Sequence, residues 1–161
     1  MKDQQQLEIL ERIYRAESRS FVRYLLEEGE ATAHSDADRK VQGFLDGWSR
    51  DSRANAERLE RLFQPEDYVP RQASWPLNFG QYHFLRASYL LGPLRARMEQ
   101  LVSTIESEAE GLSPWPGAEA AVKELLDGHR AQLQKLTEIA SGLLAEDEPA
   151  AERRQTSANW W

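Results

Sequence analysis

The sequence predicts an all-α protein, a bundle of four long helices in one domain with a long crossover between the second and third helices. Apolar residues recur at steps of three and four along four stretches of the chain, which is the spacing of one helix face. Between the second and third stretches, residues 64–78 contain three prolines and no periodicity. When extended, this segment can span a helix of about 25 residues, ~38 Å long. Such a link is typical of a bundle with a crossover.

Length and composition limit the architecture and the class of partner. A chain of 161 residues can form one domain with a full core. We expect the bundle over residues 1–145 and a disordered C-terminal tail over residues 146–161. The net charge of −7 disfavours nucleic acid and anionic membranes as partners, because both attract excess Lys and Arg. No apolar run approaches the ~20 residues of a membrane span, and the start MKDQQQ lacks the apolar core of a signal peptide, so we expect a cytoplasmic protein.

The first two helices are predicted from their apolar faces and their ends. The first runs from about residue 5 to residue 28, and Gly29 is a typical C-terminal stop. The second begins at Ser35 or Asp36, since either side chain can cap it, and it continues to Phe63.

The third and fourth helices complete the predicted bundle. The third starts near Asn78 and carries Gly92-Pro93 in its interior, where the missing backbone donor of proline predicts a kink or a break. The fourth helix follows Gly117 and extends to about Ala145.

Polar residues interrupt the apolar faces at mid-height, and Glu17 is the most informative of them. It lies on the apolar face of the first helix between Tyr14 and Phe21. Burying an unpaired carboxylate costs several kcal/mol, so Glu17 needs a cation, a proton or a metal ion. His129 lies in the same way on the apolar face of the fourth helix, and we expect the two side chains to face each other. The second and third helices add polar residues to this predicted buried cluster: Ser52, Asn55 and Ser88.

Four helices, a crossover and polar residues at mid-height resemble the ferritin-like superfamily, and its rubrerythrin-like bundles in particular. In that family a di-iron site takes six inward ligands, which are a Glu from helix one, a Glu-x-x-His from helix two, and the same set again from helices three and four. The segment YRAESRSF places Glu17 at the first Glu, and His129 matches the His of the fourth helix.

The other four ligand positions carry residues of a different kind. In the segment SRANAERL, Ser52 stands for the Glu of helix two and Asn55 for its His. The position on helix three falls at about Ser88, and Leu126 stands where helix four should supply its Glu. Metal sites need three or four protein ligands, and two remain. The resemblance therefore implies a bundle that has kept its fold and lost its di-iron centre.

Different roles are open for Glu17 and His129. They can form an ion pair or a charge-assisted hydrogen bond between helices. Alternatively, they can form a residual metal site for iron or manganese, completed by water or Asp51, in an oxidoreductase of the ferritin-like type. A third interpretation is a three-histidine metal enzyme of the DinB-like kind, which would use His34, His83 and His129, although two histidines four residues apart, typical of that family, are absent.

No motif in the sequence predicts a catalytic residue. There is no Gly-rich phosphate loop, no His-Glu-x-x-His, no Gly-x-Ser-x-Gly and no cysteine. The sequence therefore favours a non-catalytic structural or interaction module without a cofactor, forming a homo-oligomer or binding a protein partner. Trp160 and Trp161, at the end of a polar tether, are a candidate docking peptide, because aromatic side chains supply much of the energy of interfaces. The alternative is a tail that folds back onto its own bundle.

Overall fold

The computed structural model describes the backbone of residues 2–158 and the side chains of residues 2–143. This part of the chain is all-helical and contains no β-strand, which confirms the predicted class. The α-helices are α1 (Gln4–Ser18), α2 (Phe21–Glu27), α3 (Asp36–Arg61), α4 (Leu91–Ala109) and α5 (Pro116–Ala158). Short 3-10 turns lie at Gln64–Glu66, Leu77–Tyr82, Ala87–Leu90 and Glu110–Leu112.

The residues at the starts of α1, α3 and α5 suit a helix N-terminus. Asp3 caps α1 by accepting a hydrogen bond from the backbone N–H of Gln6 at 2.8 Å. Ser35, one of the two predicted caps of α3, accepts from the backbone N–H of Asp38 at 3.1 Å. Pro116 occupies the first position of α5, where its missing N–H costs no hydrogen bond.

The core has two halves, and their composition gives the direction of each helix. One half joins the start of α1 to the ends of α3 and α4 and to the start of α5. The other half joins α2 to the starts of α3 and α4 and to the later part of α5. Therefore α3 and α4 run in the same direction, opposite to α1 and α5. Representative members are Ile13, Leu59, Ile105 and Val122 in the first half, and Leu25, Leu45, Leu94 and Leu136 in the second.

The connection between α3 and α4, residues 62–90, is called the crossover below. Because α3 ends in one half of the core and α4 starts in the other, the crossover runs along the length of the molecule. In the packing, α1 and α5 each contact both α3 and α4.

The first predicted helix is broken into α1 and α2 at Arg19 and Ser20. The hydroxyl of Ser18 donates to the carbonyl oxygen of Tyr14 at 2.7 Å, a local bond that competes with the helix and bends it. The hydroxyl of Ser20 is used in a contact with Ser52 instead of capping α2. The continuous helix predicted from residue 5 to residue 28 is therefore wrong at this point.

The third predicted helix starts thirteen residues later than expected, at Leu91 instead of Asn78. Pro93 consequently lies in the first turn of α4, where the N–H groups have no helical partner, so its predicted place in a helix interior, with a kink or a break, was wrong. The preceding residues are held by backbone bonds to the loop after α2. Phe84 N–H donates to Gly29 O at 2.8 Å, and Thr32 N–H donates to Leu85 O at 2.9 Å.

Two buried carboxylates fasten the crossover to the helices. Glu11 of α1 accepts from the guanidinium and backbone N–H of Arg71 and from the hydroxyl of Tyr68. Asp38 of α3 accepts from Arg86 at 2.9 and 3.0 Å and from the backbone N–H of Ser88 at 3.0 Å. Each half of the crossover therefore has its own ionic anchor.

At 43 residues, α5 is much longer than α3, which has 26. The predicted division of the chain at residue 145 falls within α5, beyond the last described side chain, and stays a prediction. Trp160 and Trp161 lie outside the described residues. Among the described helices, none combines the length and the apolar character that crossing a membrane requires.

Candidate functional site

Glu17 of α1 and His129 of α5 meet in the middle of the core. Both side chains are buried, with relative exposures of 0% and 1%. Nε2 of His129 lies 2.8 Å from Oε2 of Glu17 and 3.0 Å from its Oε1. The pair therefore joins two helices that lie far apart in the sequence.

Trp48 of α3 fixes the position of the proton on His129. Its indole nitrogen lies 3.0 Å from Nδ1 of His129. An indole N–H can only donate, so Nδ1 must accept and carries no proton. The imidazole is then neutral with its proton on Nε2, which donates to Glu17. The contact is a hydrogen bond from a neutral ring to a carboxylate, rather than an ion pair.

The carboxylate of Glu17 also receives hydrogen bonds from α3. The hydroxyl of Ser52 donates to Oε1 at 2.8 Å, and the amide of Asn55 lies 3.4 Å from the same oxygen. Ser20, at 3.0 Å, donates to Ser52, because the proton of Ser52 is directed to Glu17. Together with His129, these groups provide the hydrogen bonds that a buried carboxylate requires.

The structure brings together four of the five residues of the predicted cluster: Glu17, Ser52, Asn55 and His129. The inclusion of Ser88 was wrong. It lies in the 3-10 turn before α4 and bonds to Asp38 at the start of α3. The cause is the late start of α4, which moves residue 88 from mid-helix to the end of the crossover.

Sequence reasoning missed Trp48 and Ser20 as members of this network. An aromatic residue on a helix face, such as Trp48, gives no indication in the sequence that its N–H has a specific acceptor. Ser20 was hidden by the expectation of a continuous first helix. Its position three residues after Glu17 on the same predicted face was the available sign.

The residues present do not fit a di-iron centre. Both nitrogens of His129 are engaged, Ser52 and Asn55 donate to Glu17, and Leu126 is a buried apolar residue. Within residues 2–143 no three His, Asp or Glu side chains are grouped so that they could hold a metal ion. Metal chemistry at this position would require the Trp48 bond or the Glu17 bond to break first.

The other histidines have separate surroundings. His83 lies on the crossover, with Nδ1 3.3 Å from the hydroxyl of Tyr24. His34 is exposed in the loop before α3, and its backbone N–H donates to Asp38 at 2.9 Å. The surroundings of these two residues do not include the Glu17 network, so a three-histidine site is not formed by the described side chains.

A cleft of about 260 Å³ lies between α3 and α5 on the solvent side of His129. Two polar contacts cross it. Gln132 donates to Asp51 at 2.9 Å, and Arg58 pairs with Glu124 at 2.8 Å. Both ring nitrogens of His129 are engaged, so a substrate in this cleft could exchange a proton directly with the ring only after displacing Trp48 or Glu17. The arrangement cross-links α1, α3 and α5.

Large apolar side chains of the crossover face solvent. Their exposed fractions are 99% for Leu77, 88% for Val69, 66% for Tyr89, 62% for Phe84 and 37% for Leu85. Where exposed apolar groups form a contiguous patch, the patch often marks a surface that contacts other molecules.

Comparisons of the chain with protein-family models, with curated proteins and with solved structures find no match. The functional interpretation therefore depends on the geometry itself. That geometry is a buried Glu–His hydrogen bond, oriented by a tryptophan and surrounded by donors.

Proposed function

We propose that this chain is a ferritin-like bundle that acts as a non-catalytic structural or protein-interaction module. Parallel second and third long helices joined by a crossover are the arrangement of ferritin-like folds, and this supports the fold assignment. The observation that carries the functional proposal is the hydrogen bond from Trp48 to His129 at 3.0 Å. It occupies the ring nitrogen that a metal or a substrate could otherwise use.

The mid-height residues act as hydrogen-bond partners in place of metal ligands. In a di-iron bundle the six inward groups are carboxylates and imidazoles. Here Ser52 and Asn55 donate hydrogen bonds to Glu17, and Leu126 is buried. The network therefore holds three helices in register, which is a structural role.

Metal content tests this proposal against the alternative of an iron or manganese oxidoreductase. We would load the purified protein with iron, manganese or zinc, desalt it, and measure metal per chain by elemental analysis. We expect far less than stoichiometric metal, with no difference between the wild type and His129→Ala. Near-stoichiometric metal that is lost in His129→Ala would contradict the proposal and favour the oxidoreductase.

The interaction role is supported by the exposed apolar side chains of the crossover. Phe84, Leu85 and Tyr89 lie within six residues of one another, and the backbone of residues 84–87 is hydrogen-bonded to residues 29–32. A rigid backbone lowers the entropic cost of association. We propose self-association through this segment, with a second copy of the chain as the partner.

A further inference from the structure

A second pocket lies at the break between α1 and α2, where α4 and the crossover close around it. Its volume is about 350 Å³, within the range of small-molecule sites. Its wall includes the core aromatics Phe21 and Phe79 and the half-buried Leu101. Arg19 and Arg97 line the same cavity, and we call it the Arg19–Arg97 pocket.

The two arginines are held in place without a carboxylate. Arg19 donates through Nε to the carbonyl oxygen of Ala73 at 2.6 Å, and its guanidinium lies 4.6 Å from the ring centre of Trp75. The guanidinium of Arg97 lies 5.7 Å from the ring centre of Phe79. Among the described side chains, no Asp or Glu forms an ion pair with either of them.

Both guanidinium groups keep donors for a ligand. Each carries five N–H groups. Arg19 uses its Nε on Ala73. Arg97 meets the side-chain oxygen of Asn78 at 3.0 and 3.1 Å when that amide is turned to accept. The remaining N–H groups are positive, half-buried and oriented by aromatic rings, which makes them suited to a planar anion.

We propose that the Arg19–Arg97 pocket binds a small organic acid, a carboxylate on a flat apolar body. The carboxylate would pair with the guanidinium groups, and the apolar body would lie against Phe21, Phe79 and Leu101. A cavity of about 350 Å³ has room for a body of one or two rings. In a chain of net charge −7, local positive charge without an internal partner selects for an anion. The site shares Ser20 with the Glu17 network, and it would add a ligand to the structural role.

Matched acid and amide probes test the charge requirement. We would titrate the full chain with indole-3-acetate and with indole-3-acetamide by isothermal calorimetry. The two probes share the same ring and differ in the carboxylate. We expect the acid to bind about tenfold or more tightly than the amide, because the charge-assisted bonds to arginine are lost in the neutral probe.

Variants locate the binding in this pocket. Arg97→Gln removes one guanidinium and is expected to weaken acid binding about tenfold. Thr104→Trp, on the exposed rim of the same cavity, fills the space without changing charge and should abolish binding. Arg50→Gln is the control, since Arg50 pairs with Asp46 on the exposed side of α3 and should leave binding unchanged. Circular dichroism confirms that each variant is folded.

The proposal would be overturned by either of two results. One is that indole-3-acetate binds no better than its amide, or does not bind at millimolar concentration. The other is that the acid binds equally well to wild type and to folded Thr104→Trp, which would place it elsewhere on the surface. Because Thr104→Trp leaves both arginines intact, it keeps the test decisive if Arg97→Gln fails to fold.

Discussion

Trp48 determines what His129 can do. An imidazole next to a carboxylate is often protonated, so that the two form an ion pair. An indole N–H that donates to the second ring nitrogen is compatible only with a neutral ring. The distance of 3.0 Å between Trp48 Nε1 and His129 Nδ1 therefore assigns the proton to Nε2. The buried network then carries a single negative charge, on Glu17.

The tautomer of His129 is directly measurable. Long-range proton–nitrogen correlation NMR of ¹⁵N-labelled protein at neutral pH should show a neutral ring with the proton on Nε2. In Trp48→Phe the Nδ1 resonance should shift, because its hydrogen bond is lost. A spectrum of the doubly protonated ring, or of a proton on Nδ1, would show that Trp48 does not orient it.

Removing either partner of the Glu17–His129 pair should destabilise the protein, and by unequal amounts. His129→Leu leaves a buried carboxylate short of a donor, which costs about 3–5 kcal/mol. Glu17→Leu leaves a neutral N–H unpaired, which costs about 1–3 kcal/mol. Urea unfolding of both variants measures the difference.

The double variant separates the pair from its neighbours. Glu17→Leu/His129→Leu leaves neither partner unpaired, so its cost should be smaller than the sum of the single costs, by roughly 0.5–3 kcal/mol. Glu138→Leu, at an exposed position of α5, is the control and should change stability little. Additive single costs would mean that the two side chains are energetically independent.

The sequence predicted the centre of this network because a carboxylate and an imidazole on apolar helix faces are chemically conspicuous. The same criterion could have found Glu11, which lies four residues after Leu7 and three before Tyr14 and is buried. The partners of Glu11 could not be predicted from hydrophobic periodicity, because Tyr68 and Arg71 lie in a segment that has none. Trp48 was missed because aromatic packing and aromatic hydrogen bonding look the same in a sequence.

At the scale of the elements, the crossover owes its position to Glu11 and Asp38. Burial raises the pKa of the Asp38 carboxyl, but hydrogen bonds from Ser88, His34 and Arg86 outweigh it and hold that pKa well below its ordinary value. Burial also raises the pKa of Glu11, and the bonds from Arg71 and Tyr68 again lower it overall. Both anchors therefore require ionised carboxylates.

This requirement predicts how stability depends on pH. Each folded-state pKa lies below the unfolded value of about 3.9 for Asp or 4.3 for Glu, so near pH 4 the unfolded chain binds more protons. The contribution of the anchors is complete above about pH 5 and is lost as the pH falls through the folded-state values. Urea unfolding between neutral pH and pH 3 should show this loss.

Asp38→Asn serves as the matched variant for the pH dependence. It should be less stable than the wild type at neutral pH, because Arg86 loses its buried partner. Its stability should also fall less on acidification, since one of the two titrating anchors is gone. If the wild type and Asp38→Asn have parallel pH profiles, Asp38 does not contribute to acid sensitivity.

Helix ends show where sequence reasoning fails at this scale. Phe84, Leu85, Ser88 and Leu91 have helical spacing, yet Phe84 and Leu85 are exposed and the segment forms turns. Backbone pairing with residues 29–32 outweighs the periodicity there, and that pairing depends on contacts distant in sequence. By contrast, the N-cap at Ser35 is a local interaction, and the sequence predicted it within one residue.

At the scale of the whole molecule, the crossover follows from the order of the helices. Two consecutive long helices that run in the same direction need a connection as long as the helices themselves. Proline at residues 65, 70 and 76 keeps that connection from becoming helical, so its length and composition were visible in the sequence. The exposed surface of the crossover could not be predicted from the sequence, because exposure depends on which side of the segment contacts the core.

Phe84 is the residue of that surface at which the proposed self-association can be tested. Its φ of 59° lies in the left-handed region, which costs a bulky side chain about 1–2 kcal/mol, and the residue is 62% exposed. A strained aromatic that buries little of its ring contributes little to the stability of its own chain. We interpret it as a residue kept for contact with a second copy.

Phe84→Asn tests this interpretation, since asparagine adopts the left-handed conformation readily. We expect unfolding free energy to be unchanged or higher by up to about 1 kcal/mol. We also expect a weaker self-association in sedimentation equilibrium, because the exposed ring is removed. Val69→Asn, at an exposed position in the other half of the crossover, is the control and should leave association as in the wild type. If Phe84→Asn loses stability and associates like the wild type, Phe84 is a packing residue of the monomer. The same result would contradict self-association through the segment 84–89.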